Sequence, residues 1–175
     1  MSKAIHLGEI DHLGVRPRYV MIVGGIASGK NHVIHQHIRT IPVMDVDDIM
    51  ESRGFTDYSG HHFAEAMKEI GSVIVEMMAG RKCLIAMGTS SNLTNAINRL
   101  HSAKMAGYST VMAYIDAPVE QCLAQNAERR GKGKRFVADE ELRKIERTNV
   151  GAAQVAATLR DTVLVDFYAH YLNVR

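Results

Sequence analysis

Gly24-Gly25-Ile26-Ala27-Ser28-Gly29-Lys30 meets the spacing G-x-x-x-x-G-K. Glycines in such a loop permit positive φ and let successive backbone N–H groups converge on phosphate oxygens. The helix that follows adds the positive end of its dipole, and Lys30 is placed to reach the β- and γ-phosphates of a nucleotide. The next residue is Asn31, where such loops usually carry the Ser or Thr hydroxyl that ligates Mg²⁺. An amide oxygen is also a hard, neutral ligand, so Asn31 either holds the metal, directly or through water, or only caps the helix start.

Phosphoryl transfer needs a carboxylate beside the acceptor hydroxyl, to orient it and take its proton. The stretch Met44-Asp45-Val46-Asp47-Asp48 supplies three acids one strand later. In an extended chain Asp45 and Asp47 share a face and Asp48 starts the next turn. Asp47 is the expected base and Asp45 and Asp48 its substrate-side neighbours; the competing reading is a helix N-cap with solvated charges. After the next apolar strand, Met87-Gly88 stands where many nucleotide-binding folds place an acid, and Thr89, Ser90 and Asn92 follow. These three either hydrogen-bond a substrate or serve as turn and cap residues.

Between Arg129 and Arg135, five of seven residues are basic, with two glycines among them. A solvated charge run is the plain reading. The chemical one is a lid whose arginines stabilise charge on the moving phosphoryl group, with Arg129 and Arg135 as phosphate contacts and Arg130 as a further nucleotide contact. His32, His35 and His37 follow the glycine-rich loop; His32 and His35 are three apart, but no third ligand or acid points to a metal site, and all three read as surface or packing residues.

These groups need a frame, and the hydropathy pattern provides one. Apolar strands are expected at 18–24, 41–47, 82–88, 109–118 and 161–167, with helices over 30–39, 61–80, 92–107 and 119–131 and a further helical stretch from Ala138. Strands alternating with helices of this length imply right-handed crossovers and a mainly parallel, five-stranded α/β sheet covered on both faces. Ligands of such sheets bind beyond the carboxyl ends of the strands, where every feature above falls.

The 175 residues are expected to form a single domain, with 1–17 as an N-terminal extension and 126–138 as the lid. A net charge of +2 is too small to announce a nucleic-acid binder. Cys83 and Cys122 match no zinc or redox spacing, and a reducing, cytoplasmic setting is expected. The charged N-terminus is unlike a signal peptide, no apolar run approaches the ~20 residues of a membrane span, and no protein partner is indicated.

Taken in order, GGIASGK, MDVDDIM, CLIAMGTSSNLTNAINRLHSAKMAGYSTVMAYIDAP and NAERRGKGKRFVADEEL resemble the kinase domain of phage-type polynucleotide 5′-hydroxyl kinases and the related zeta-toxin kinases. The similarity covers Tyr19 to Ile145. It implies a P-loop kinase using ATP and Mg²⁺, with Lys30 and Asn31 at the transferred phosphate and Asp47 as base. Arg129 matches a lid arginine of the polynucleotide kinases, and Arg135 is similar in placement to that of the zeta toxins. Two positions depart from the pattern. The arginine that grips the acceptor's phosphate is replaced by Ile49-Met50-Glu51, with Arg53 the nearest substitute, and a second lid arginine is replaced by Gln125. The implied acceptors are a polynucleotide 5′-hydroxyl or the hydroxymethyl group of a modified DNA base, as in similar phage kinases acting on hydroxymethyluracil. A nucleotide sugar is the alternative, and a nucleotide-binding module with little catalysis is another.

Overall fold

The computed structural model describes residues 1–55, 60–132 and 136–175. Six strands, β1 (Lys3–Ala4), β2 (Arg18–Val23), β3 (Val43–Met44), β4 (Leu84–Ala86), β5 (Ser109–Asp116) and β6 (Phe167–Leu172), form one sheet in the order β1-β6-β5-β2-β4-β3. Every pairing is parallel, with Val20 opposite Ile85 on one side and Val111 on the other. Among the described residues six α-helices accompany it: α1 (Lys30–His37), α2 (Val46–Ser52), α3 (Gly60–Ala79), α4 (Leu93–Met105), α5 (Val119–Gly131) and α6 (Leu142–Leu159).

The strands divide their side chains by the two-residue period of the pleat. Tyr19, Met21 and Val23 face a core built with Leu100 and Ala103 of α4 and Ala152, Val155 and Leu159 of α6. Val20 and Ile22 face the opposite core, with Val33 and Ile34 of α1. Burial on both faces explains the unbroken apolar run of β2.

Three differences from the sequence-based expectations have physical causes. The second strand keeps only Val43 and Met44, because Asp45 leaves the sheet to cap α2. The last strand is Phe167–Leu172 instead of 161–167. Residues before it turn beneath the helix-side core, where Val165 is buried, and Asp166 accepts from Thr110 N at 2.9 Å and from Lys104 Nζ at 2.7 Å. The first residues also belong to the sheet: β1 pairs with β6, and Leu7 and Ile10 in a 3₁₀ turn (Leu7–His12) are buried against the α1 side. The sheet therefore has six strands among the described residues, one more than expected.

Candidate functional site

The glycine-rich loop leaves β2 at Gly24 and enters α1 at Lys30, so the strand's carboxyl end and the helix's amino end meet there. Side chains are excluded from its crowded positions. A Cβ on Gly24 would lie 2.9 Å from Ser28 Oγ, and one on Gly25 would overlap Asn149 Oδ1 at 1.1 Å. Gly29 caps α1 in the left-handed region at φ 80°, beneath Asn173, whose Nδ2 donates to Ser28 O at 2.8 Å. Ala27 is also left-handed at φ 54°, a conformation that costs a non-glycine residue roughly 1–2 kcal/mol.

Lys30 Nζ donates to Gly24 O at 3.1 Å and Gly25 O at 2.6 Å, folding back over the loop. Desolvation lowers its pKa to about 8; Asp45 and Asp47 act to raise it and Arg129 to lower it further. Ser28 Oγ is buried without a hydrogen-bond partner among the described residues. An orphaned hydroxyl and a cation at the amino end of a helix suit a phosphate group.

Asn31 does not cap its helix, since Gly29 holds that position. Instead its Nδ2 donates to Asp45 Oδ2 at 2.8 Å, linking the phosphate loop to the acidic cluster. Asp45 Oδ1 accepts from Asp47 N at 3.1 Å as the α2 N-cap, so the extended geometry expected for this pair is replaced by a helix start. Asp45 is thereby buried and structural, while Asp47 stands in the first turn of α2 and lines the cavity. Asp48 does not line it; burial first, then the nearby Asp45, Asp47 and Glu51 carboxylates, raise its pKa.

The cavity, of about 310 Å³, gathers the groups the sequence singled out separately. The loop from Ile26 to Asn31, Asp45, Asp47, Thr89, Asn92 and Arg129 all line it, while Gly24 and Gly25 lie at the loop's entry behind it. Thr89 and Ser90 are pinned against the loop: Gly24 N donates to Thr89 O at 3.4 Å, and Ser90 Oγ to Ile22 O at 2.8 Å. Asn92 also caps α4, accepting from Asn95 N at 3.0 Å.

Two expected arginines are elsewhere. Arg53, at the end of α2, pairs with Glu69 of α3 and does not line the cavity. Arg130 pairs with Asp139, lies 5.2 Å over the Phe136 ring, and also does not line it. Adjacent positions on α5 diverge, so Arg129 points in where Arg130 points away. Arg135 lies outside the described residues.

Other lining residues were missed by sequence reasoning. Phe63 and Met67 of α3 add an apolar wall, and Asn95 and Arg99 continue the α4 face begun by Asn92. Their helical spacing of three and four was a usable signal once Asn92 was placed as the cap. Asn126 was hidden as an ordinary helix residue. Its amide clamps Val137, accepting from the backbone N at 2.8 Å and donating to the O at 3.1 Å, which returns the chain after α5 to the cavity rim.

Hard oxygen donors suited to Mg²⁺ are present at the phosphate end in Asn31 and the Asp45 and Asp47 carboxylates. No group of three or more His, Cys, Asp or Glu residues among those described could hold a metal ion unaided.

No protein-family profile matches the sequence, and no curated protein matches it. Solved structures do. The chain is similar to a protein in the Pnkp1/Rnl/Hen1 RNA repair complex, with a TM-score of 0.69 and 17% identity, covering 85% of this chain and 48% of that one. It is similar to one from the PezAT chromosomal toxin-antitoxin system of Streptococcus pneumoniae, with a TM-score of 0.69 and 12% identity, covering 90% and 69%. A putative kinase from Chloroflexus aurantiacus aligns with a TM-score of 0.64 and 14% identity, covering 91% and 87%. The chain thus spans about half the length of the RNA-repair protein it matches. These likenesses, with the parallel sheet and the phosphate loop at its carboxyl edge, show the fold of the P-loop kinases.

Proposed function

We propose that the protein is an ATP-dependent kinase that transfers the γ-phosphate to a hydroxyl group on a nucleic acid, DNA foremost, or on a nucleotide. The observation that carries this is the shared cavity: the phosphate loop with Lys30, the Asp47 carboxylate and the Arg129 guanidinium all line it. Binding ATP alone requires neither a carboxylate beside the loop nor an arginine across from it.

In the proposed reaction the acceptor oxygen forms a bond to the γ-phosphorus as the bond to the β,γ-bridging oxygen breaks and ADP leaves. Asp47 orients the hydroxyl and takes its proton. Lys30 and Arg129, with Arg135 as a further lid cation, balance the charge that builds on the moving group. Asn31 and the adjoining carboxylates would help hold Mg²⁺, which supplies further neutralisation of the phosphates when bound. Thr89 and Asn92, which line the same cavity, are assigned to the acceptor. A single catalytic domain with 126–138 acting as the lid completes the reading.

The specific acceptors proposed are a polynucleotide 5′-hydroxyl and the hydroxymethyl group of a modified pyrimidine such as 5-hydroxymethyluracil. The sequence resemblance to the zeta-toxin kinases supports a second reading, phosphorylation of a nucleotide sugar or another small metabolite. Incubation with γ-labelled ATP and Mg²⁺ against a 5′-hydroxyl oligonucleotide, DNA containing 5-hydroxymethyluracil, and a nucleoside diphosphate sugar separates them. Label on either DNA supports the first reading; label on the sugar nucleotide alone replaces it with the second. No label on any, with ATP bound, overturns both.

A further inference from the structure

Arg99 is a cation in the cavity that the catalytic reading leaves without a task. It lines the same cavity as Asp47 and Lys30, on the α4 face that also presents Asn92 and Asn95. Its side chain is exposed and has no carboxylate within ion-pair distance among the described residues, whereas Arg53, Arg130 and Arg160 each have one. The other cations lining the cavity among the described residues are Lys30 and Arg129, and both serve the nucleotide end. The apolar part of the lining includes Met21 and Met87 of the sheet side and Phe63 and Met67 of α3.

An arginine facing a ligand cavity without an acid to pair with presents its planar fork of N–H donors to a carboxylate or phosphate. Methionine and phenylalanine side chains accept the flat face of an aromatic ring. A hydroxyl directed at Asp47 completes the pattern. We propose that Arg99 is the specificity-determining residue for the acceptor, holding a phosphate ester on a molecule whose ring lies against the Phe63–Met67 wall; this rests on the kinase reading. The chemistry is shared by a nucleoside phosphate, an oligonucleotide and a nucleoside diphosphate sugar.

The test is calorimetric binding in the presence of a non-hydrolysable ATP analogue. Probes are a nucleoside 3′-monophosphate, a short 5′-hydroxyl oligonucleotide, a nucleoside diphosphate sugar and, as the phosphate-free reference, the nucleoside. The wild type binds at least one phosphate-bearing probe about 10-fold or more tightly than the nucleoside, and the one preferred identifies the source. Arg99→Ala abolishes that preference, Arg99→Lys restores part of it, and both keep the wild-type affinity for the ATP analogue. Alanine at an exposed helix position preserves α4, which circular dichroism checks. The proposal is overturned if the wild type shows no such preference, if Arg99→Ala retains it, or if the variant weakens the ATP analogue equally. The kinase reading fails separately: Arg99-dependent preference for a phosphate ester with no transfer of label contradicts that reading and leaves Arg99 as a phosphate contact only.

Discussion

Lys30 concentrates the electrostatics of the site in one side chain. Desolvation holds its pKa at about 8, below the ordinary lysine value, so between about 8 and 10.5 the unfolded chain binds the extra proton and the nucleotide-free fold does not. Stability attributable to this group therefore rises with pH across that window, and its penalty is fully present below it. Nucleotide phosphates reverse the balance by favouring the charged amine. ATP binding above about pH 8 should take up a proton, and affinity should fall by up to about tenfold per pH unit. Calorimetry in buffers of different ionisation enthalpy measures that uptake. Binding without proton exchange at pH 9 would remove Lys30 from the phosphate contact. Asn31 was open between metal ligand and helix cap in the sequence, and the structure removes the cap reading, since Gly29 holds that position. Its amide N–H is spent on Asp45, a residue fourteen positions away, and no local pattern announces a tertiary hydrogen bond.

At the scale of elements, α2 depends on Asp45 for both its start and its link to the phosphate loop. Asp45→Ala removes the N-cap and leaves the Asn31 amide without its carboxylate, which should cost about 1–2 kcal/mol. For a chain of this size that is a fall in Tm of roughly 2–8 °C, with turnover falling further as Asp47 loses its place. A variant of unchanged Tm would contradict the cap. The β-strands were legible where burial on both faces writes an apolar run, as in β2 and β5. β6 was misplaced because Val163-Leu164-Val165 carries the same apolar signature while packing as a turn. Just before the strand, the Asp166 carboxylate ties the turn to Lys104 and Thr110. Burial would raise its pKa, but Lys104 and Thr110 outweigh that and hold it below the usual value. Asp166→Ala should destabilise the fold by about 2–4 kcal/mol. That contribution is present above the unfolded carboxylate pKa and is lost as pH falls through the folded one. Chemical denaturation at pH 7 and at progressively lower pH reads both, with the difference between the two proteins shrinking as the pH falls.

For the molecule as a whole, one parallel sheet brings the ends of β2, β3 and β4 together, and the site follows from that convergence. The loop and the acidic cluster were visible because each sits just beyond a strand, and the arginine of α5 because it opens a run of basic residues. The α3 and α4 walls were not, since a cavity between helices is a property of packing that neither helix carries alone. The N-terminal residues likewise read as an extension, yet Ile10 is fully buried beside Ile34 and Ile38, and Asp11 accepts from Arg39 N at 2.9 Å. Ile10→Ala should cost about 2–5 kcal/mol, measurable as a shift of the denaturation midpoint. A change below about 0.5 kcal/mol would show that this segment is not part of the core. No helix among the described residues is long and apolar enough to cross a membrane.

The central claim is that this arrangement moves a phosphoryl group and does not merely hold a nucleotide. Asp47→Asn keeps the size of the side chain and removes the proton acceptor. The account predicts that transfer of label from ATP falls by about 100-fold or more while ATP affinity stays within about threefold of the wild type. Transfer at the wild-type rate by the variant, or ATP binding by the wild type with no transfer to any hydroxyl acceptor, would contradict it.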